Sequence, residues 1–416
     1  MREEQSNSDL MPRSYGAFCF GGLMDHEDYM REALKLAEKG MGFASPNPMV
    51  GAVIVLNGEI IGRGWHKQYG GLHAEREAIE DCDQKDIDTY GADMYVTLEP
   101  CCHKGKQPPC TQAIIDNGIK RVFVGSPDPN PLVAGKGVQY LREHGVEVIE
   151  GVLQKECDAL NEIFFHFITK KTPFITMKYA MTLDGKIACH NGASKWITGE
   201  EARNFVQRER LRHSAIMVGV GTVIADDPML SCRLENGRDP VRIIMDTHLR
   251  TPLDSKIVRT AFEIPTIIVC CVDEFDIPTH KERVDLYKAQ GCRILNTYDT
   301  KYNAFTIDID WMLKQLADAN IDSILLEGGA ALNWSMLSGG YVNKTEAFIA
   351  PKIVGGNSSK SPVGGIGTDS PDEAFFLRDP VLHRFGEDIM IESRVDYVHW
   401  DNRRGRDRNR IKFYRP

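Results

Sequence analysis

Three short segments carry residues whose types and spacing could bind a metal and move protons: His73-Ala74-Glu75, Pro100-Cys101 and Pro109-Cys110. One neutral imidazole and two thiolates form a zinc ligand set that leaves a fourth tetrahedral position for water. Zinc makes such a water nucleophilic near neutral pH, with a pKa of about 7 in favourable sites. Glu75, two residues after the histidine, is then placed to carry protons rather than to bind the ion. Each piece alone also has a bland reading. A His-x-Glu can sit on a solvated helix face, and cysteines can serve as small buried hydrophobes. Cys102 and His103 compete for the ligand role, but adjacent residues rarely point at one metal, so Cys101 and Cys110 are expected to bind.

Elements must hold these pieces together. Helical spacing of Tyr29, Ala33, Leu34, Leu36 and Ala37 predicts a helix from Asp28 to about Gly40. Val50 to Leu56 reads as a strand, and Asn57-Gly58 as the turn of a hairpin. His73 opens a helix, Met94 to Leu98 is a buried strand, and Pro109-Cys110 starts a second helix. Arg121 to Gly125 and Val146 to Ile149 are strands flanking a helix from Gly137 to His144. Two of the three chemical pieces thus fall at helix N-termini, where free N–H groups favour thiolates and developing negative charge. A helix from Leu160 to Ile168 leads into Lys170-Lys171-Thr172-Pro173, a plausible hinge. The pattern then restarts with Phe174 to Tyr179 as strand, Glu200 to Leu211 as helix and Ala215 to Val220 as strand. Val241 to Met245, Thr266 to Val272 and Ile324 to Leu326 are further strands, and Leu332, Trp334 and Leu337 mark a helix. Strand–helix alternation on both sides of the hinge implies two α/β units. Gly328-Gly329 suits a dinucleotide phosphate or a plain helix-start turn equally well. Asp226-Asp227-Pro228 reads as a turn.

Bulk properties bound the possibilities. At 416 residues the chain is too long for one typical core. Its 42% hydrophobic and 26% charged content is that of an ordinary soluble protein, and the net charge of −9 argues against a polyanion as main partner. No apolar run approaches the roughly 18 residues needed to cross a bilayer. Met1 to Pro12 carries Glu3, Glu4 and Asp9, unlike a secretory signal. Eleven cysteines without repeating spacing read as reduced thiols plus a metal site, hence a cytoplasmic setting.

Taken together, the residues resemble the bifunctional deaminase/reductase family of riboflavin biosynthesis. The matching stretches are Pro46-Asn47-Pro48 with Val50-Gly51, His73-Ala74-Glu75, Thr97-Leu98-Glu99-Pro100-Cys101, Pro108-Pro109-Cys110-Thr111 and Asp128-Pro129-Asn130-Pro131. They continue with Lys178, Leu183-Asp184-Gly185-Lys186, Ser194, Trp196-Ile197-Thr198 and Gly221-Thr222. Ala225-Asp226-Asp227-Pro228, Leu230, Arg233, Glu327-Gly328-Gly329 and Ala350-Pro351-Lys352 complete the match. Two departures stand out: Cys102 replaces a common serine, and an arginine-rich tail follows Asn402.

The resemblance implies an α/β fold of two domains. Residues 25–170 would form a cytidine-deaminase-like α/β/α sandwich, and 171–398 a dihydrofolate-reductase-like α/β domain. They would be flanked by an extension (1–24) and a basic tail (399–416). It implies one zinc ion on His73, Cys101 and Cys110, with Glu75 catalytic, and a small phosphoribosyl-pyrimidine substrate whose 2-amino group is hydrolysed. It further implies NADPH at Ala180, Trp196, Thr222, Asp226 and Gly329, reducing the ribosyl group to ribityl. Asn47, Ser194, Arg210, Leu230, Arg233 and Glu327 would line the substrate pockets, the two arginines suiting a phosphate monoester. A homo-oligomer is expected, with neither nucleic acid nor membrane as partner. The rivals are an RNA-editing deaminase with an accessory domain, and a zinc-structured binding module without turnover.

Overall fold

A computed structural model describes residues 24–103, 108–131, 133–273, 277–298 and 306–397. The expected basic tail and all of the N-terminal extension but Met24 lie outside them.

The first half runs α1 (His26–Glu38), β1 (Gly51–Leu56), β2 (Glu59–Trp65), α2 (Ala74–Gln84), β3 (Asp93–Leu98), α3 (Cys110–Asp116), β4 (Arg121–Ser126), α4 (Lys136–Glu143) and β5 (Glu147–Glu150). It closes with α5 (Gln154–Leu160) and α6 (Glu162–Lys170). Asp25 starts α1 through a reciprocal capping box with Asp28. Asn57 and Gly58 turn the β1–β2 hairpin with φ of 52° and 83°, which an Asn-Gly pair adopts readily. The sheet order is β2-β1-β3-β4-β5, with β1 antiparallel to both neighbours and β3, β4 and β5 parallel. Alternation assigns the faces. Ala52, Ile54, Met94, Val96, Val122 and Val124 meet α2, α3 and α4, while Val53, Val55, Tyr95 and Phe123 meet α1 and α5. Both faces are covered, as in an α/β/α sandwich.

The second half runs β6 (Phe174–Thr182), α7 (Glu200–Arg212), β7 (Ala215–Gly219), α8 (Val220–Asp226), β8 (Val241–Met245), α9 (Lys256–Arg259), β9 (Thr266–Cys270), α10 (Pro278–Ala289) and β10 (Arg293–Asn296). Then follow α11 (Ile309–Asp318), β11 (Ser323–Leu326), α12 (Ala330–Ser338), β12 (Lys344–Ala350), β13 (Phe376–Phe385) and β14 (Asp388–Asp396). The nine-stranded order is β10-β9-β8-β7-β11-β6-β12-β14-β13. From β10 to β12 the strands are parallel; β14 and β13 add an antiparallel hairpin. After β10 the chain returns to insert β11 between β7 and β6, so the order reverses there. Open α/β sheets bind ligands outside the strand C-termini at such a switch. One face packs on α11 and α12, the other on α8, α9 and α10, and α7 lies against Phe348 and Met390.

Three local expectations need correction. The helix predicted from Leu160 to Ile168 is α6, which starts at Glu162; Leu160 ends α5, and Asn161 between the two helices bonds the Met49 backbone instead of facing solvent. Asp226 ends a short helix rather than sitting in a turn, and Asp227 follows with φ 40° as its left-handed cap. No sequence pattern predicts β10, β12–β14 or α9–α11. Along β13 most side chains are exposed, so no apolar alternation marks it. No helix among the described residues is long and apolar enough to cross a membrane.

Candidate active sites

In the first half, three chain segments converge where β3 ends. His73 is the N-cap of α2, Cys110 is the first residue of α3, and Cys101 follows Pro100 just past β3. His73 Nδ1 lies 3.3 Å from Cys110 Sγ and 3.6 Å from Cys101 Sγ, and the three ligand atoms lie within 4.8 Å of one another. The described residues contain no other such His/Cys/Asp/Glu group, and Cys102 and His103 are not members of this one. One imidazole nitrogen and two sulfurs fit zinc. Without a cation between them the two thiols cannot ionise together. Cys101 is pushed down to about 4, foremost by its hydrogen bond with Cys110, while that same contact and burial hold Cys110 well above the usual thiol range.

Glu75 occupies the first turn of α2 and is 3% exposed. Burial raises its carboxyl pKa, with the neighbouring His73 opposing. A buried, more basic carboxylate beside a metal site suits proton transfer near neutral pH. Asn47 stands on the loop before β1, where its amide nitrogen is 3.1 Å from His66 Nε2. The other ring nitrogen of His66 faces the Leu72 carbonyl at 2.8 Å, so Nδ1 carries the proton and Nε2 accepts from Asn47. The Asn47 carbonyl oxygen is thereby left for a ligand.

Several supporting residues escaped the sequence reading. Arg76, on the helix that carries Glu75, donates to the carbonyls of Pro108 and Pro109 and braces the approach to Cys110. Glu99 is 4% exposed and accepts four backbone N–H groups, those of Asp128, Gly135, Gly137 and Val138. It thus caps α4 and pins the loop beside Cys101. A side chain at Gly137 would collide with the Pro100 carbonyl, so α4 presses directly on the residue preceding the ligand. The run Thr97 to Cys101 marked this region, but spacing could not tell which backbone groups Glu99 would bind.

In the second half the expected residues gather at the C-terminal ends of the parallel strands. Ala180 lies on β6, Thr222 and Asp226 on α8, Glu327 just after β11, and Gly329 at the N-cap of α12. A Cβ built on Gly329 meets nothing within 4 Å, and no side chain caps the helix there. That open cradle of N–H groups fits a phosphate of a dinucleotide. Trp196 stands on the loop after β6, 58% exposed, with the Arg203 guanidinium 4.7 Å from its ring centroid. Lys352 donates to the carbonyls of Trp196 and Ile197 and fixes that loop. Ser194 is half-buried on the same loop.

The two expected phosphate arginines differ sharply. Arg210 turns its fork onto Glu327, Nε to Oε1 at 3.1 Å and Nη2 to Oε2 at 3.0 Å, and gives Nη1 to the Ser231 carbonyl. Arg233 is exposed and takes part in no ion pair among the described residues. Leu230, buried with φ 53°, turns the chain between them. Burial alone would raise the Glu327 carboxyl, but Arg210, then Lys178 and Arg233, hold it down to about 2. It is a fixed carboxylate, ringed by three cations.

Comparison with known proteins agrees with this geometry. The family described as RibD C-terminal domain matches residues 173–391, and the cytidine and deoxycytidylate deaminase zinc-binding region matches residues 23–126. The riboflavin biosynthesis protein RibD of Actinobacillus pleuropneumoniae is 50% identical over 371 residues, covering 89% of this chain and 94% of that protein. The protein of the same name from Escherichia coli (strain K12) is 35% identical over 348 residues, covering 80% and 90%. A crystal structure from Thermotoga maritima, a diaminohydroxyphosphoribosylaminopyrimidine deaminase/5-amino-6-(5-phosphoribosylamino)uracil reductase, is 39% identical with a TM-score of 0.76. It covers 89% of this chain and 98% of its own.

Proposed function

The chain belongs to the RibD family and is a bifunctional zinc-dependent deaminase and NADPH-dependent reductase of riboflavin biosynthesis, and from that premise we propose how its residues divide the work. The first half hydrolyses the 2-amino group of 2,5-diamino-6-(5-phosphoribosylamino)pyrimidin-4-one. The second reduces the ribosyl group of the product, giving 5-amino-6-(5-phosphoribitylamino)uracil.

His73, Cys101 and Cys110 hold the zinc, which when bound supplies the Lewis acidity that makes water nucleophilic near neutral pH. Glu75 accepts a proton from the attacking water and passes it to the ring nitrogen; it then takes the proton of the hydroxyl added to the ring carbon and gives it to the amine as the C–N bond breaks and ammonia leaves. Asn47, oriented by His66, presents its carbonyl oxygen to the pyrimidine. In the reductase half, Ala180, Trp196, Thr222, Asp226 and Gly329 hold NADPH, which when bound supplies the hydride. Arg233 takes the substrate phosphate, while Ser194, Leu230 and Glu327 line the rest of the pocket. Arg210 reaches the substrate side by fixing Glu327. Residues 25–170 and 171–398 are the two functional units.

The convergence of His73, Cys101 and Cys110 beside buried Glu75 carries this reading. It is tested by metal analysis with an ammonia-release assay on the full chain. Cys110→Ser should lose most zinc and deamination, and Cys102→Ser should keep both; the reverse pattern removes the ligand assignment.

Two further readings belong to the whole protein. No disulfide joins any two of the ten described cysteines, which supports a reducing, cytoplasmic setting; finding the protein in an oxidising compartment would remove it. Edge strand β13 exposes Leu377, Val381 and Leu382, which supports pairing with a second copy. A single monomeric species in sedimentation at micromolar concentration would contradict that.

A further inference from the structure

Two adjacent side chains at the α5–α6 junction face opposite halves of the molecule. Asn161, 2% exposed, accepts from the Met49 N–H and donates to the Met49 carbonyl, each at 2.9 Å. It thereby fixes the chain two residues beyond Asn47. Glu162, 8% exposed, turns the other way and gathers three cations from the reductase half. Its Oε1 accepts from Arg212 Nη2 at 3.1 Å and from Lys344 Nζ, and its Oε2 accepts from Arg394 Nη2 at 2.9 Å. Arg212 closes α7, two residues after Arg210. Residues two apart on a helix point to nearly opposite sides. The last turn of α7 is therefore gripped from both flanks, by Glu162 through Arg212 and by Glu327 through Arg210. Between them Leu211 sits under the turn at Gly42, where an added Cβ would fall 2.5 Å from the Leu211 side chain and carbonyl. Ser45 closes the same contact by donating to Asp322, just ahead of β11, the strand that leads into Glu327. The loop that carries Asn47 and the helix that carries Arg210 thus share one rigid joint.

We propose that Glu162 is a positioning residue for the reductase: it fixes the last turn of α7 so that Arg210 presents Glu327 to the substrate. Through Asn161 the same joint ties that placement to the deaminase loop. Glu162 takes no part in either reaction, and the inference rests on the assignment of Arg233 and Glu327 to the substrate side. A pin that only joined the halves would change melting temperature and nothing else. A positioning residue must also change how the reductase holds its substrate.

The test uses the full chain with the deaminated pyrimidine and NADPH. Glu162→Gln is expected to raise the KM for the pyrimidine about tenfold, a modest coupling between sites. The KM for NADPH and the rate of ammonia release should stay within about twofold, since neither passes through the Arg210–Glu327 pair. Arg212→Gln, which leaves Lys344 and Arg394 on Glu162, should reproduce the effect and decides the matter if Glu162→Gln does not fold. In a Glu327→Gln background the Glu162→Gln effect on the pyrimidine KM should vanish, because its route is gone. If Arg233→Ala and Glu327→Gln leave the pyrimidine KM unchanged, the substrate-side assignment fails and takes the inference with it. If those two raise it while folded Glu162→Gln and Arg212→Gln do not, the positioning role alone is overturned.

Discussion

Arg210 and Arg233 both act on the Glu327 carboxylate, yet hydrogen bonding separates them. Arg210 has committed its fork to Glu327, whereas Arg233 is exposed with no ion-pair partner among the described residues. Arg233→Ala should therefore raise the reductase KM for the phosphorylated substrate by about 10- to 150-fold, the loss of a charge-assisted contact of about 1.5–3 kcal/mol. NADPH affinity should hardly change, and a dephosphorylated substrate should be almost insensitive to the mutation. Equal losses with both substrates in steady-state kinetics would mean that Arg233 supports the fold or the cofactor. Residue types and spacing made His73, Glu75, Cys101 and Cys110 legible, because few chemistries need that set. Arg76, Glu99 and His66 were not legible. Their partners are backbone carbonyls, backbone N–H groups and an amide brought close only by folding. The same limit hid the difference between the two arginines.

Among elements, the strands of the first sheet were legible because helices bury both faces, giving short apolar runs bounded by turn residues. The edge hairpin β13–β14 lacks that signature, and the break between α5 and α6 serves a tertiary contact that no local pattern announces. That break decides what happens when the chain is cut at Lys171. Each side keeps its own sheet and core, so both pieces should fold cooperatively. The reductase piece, however, loses Glu162 and leaves Lys344, whose side chain is 6% exposed, with Glu392 as its remaining ion-pair partner. With Glu162 gone, Arg212, Lys344 and Arg394 lose a shared partner, so this piece should melt below the intact chain and recover when the deaminase piece is added. Circular-dichroism melts check this. A reductase piece as stable as the intact chain would show that the junction contributes little, and two pieces without cooperative melts would mean the halves are not separate units.

Across the whole molecule, acid should loosen the region where the halves meet. His213, 1% exposed, is held down to about 4, first by burial and then by Arg212; His166 on α6 is also held to about 4 by burial. Both stay neutral in the fold and charge readily in the unfolded chain. Their contribution is fully present above pH 6.5 and is lost as pH falls toward 4, up to about 3 kcal/mol for His213. Asp128, raised by burial to about 6, acts in the opposite sense, so His213 is best read by difference. Denaturant melts should show His213→Gln less stable than wild type at pH 7.5, with the gap narrowing by pH 5; a constant gap would refute the burial argument. The central claim is that one chain holds two chemically independent sites, and Glu75→Gln probes it most directly. With zinc content and melting unchanged, ammonia release should fall by at least about two orders of magnitude. NADPH oxidation on already deaminated substrate should stay near wild type. Loss of both activities together would contradict the claim and make Glu75 a structural residue.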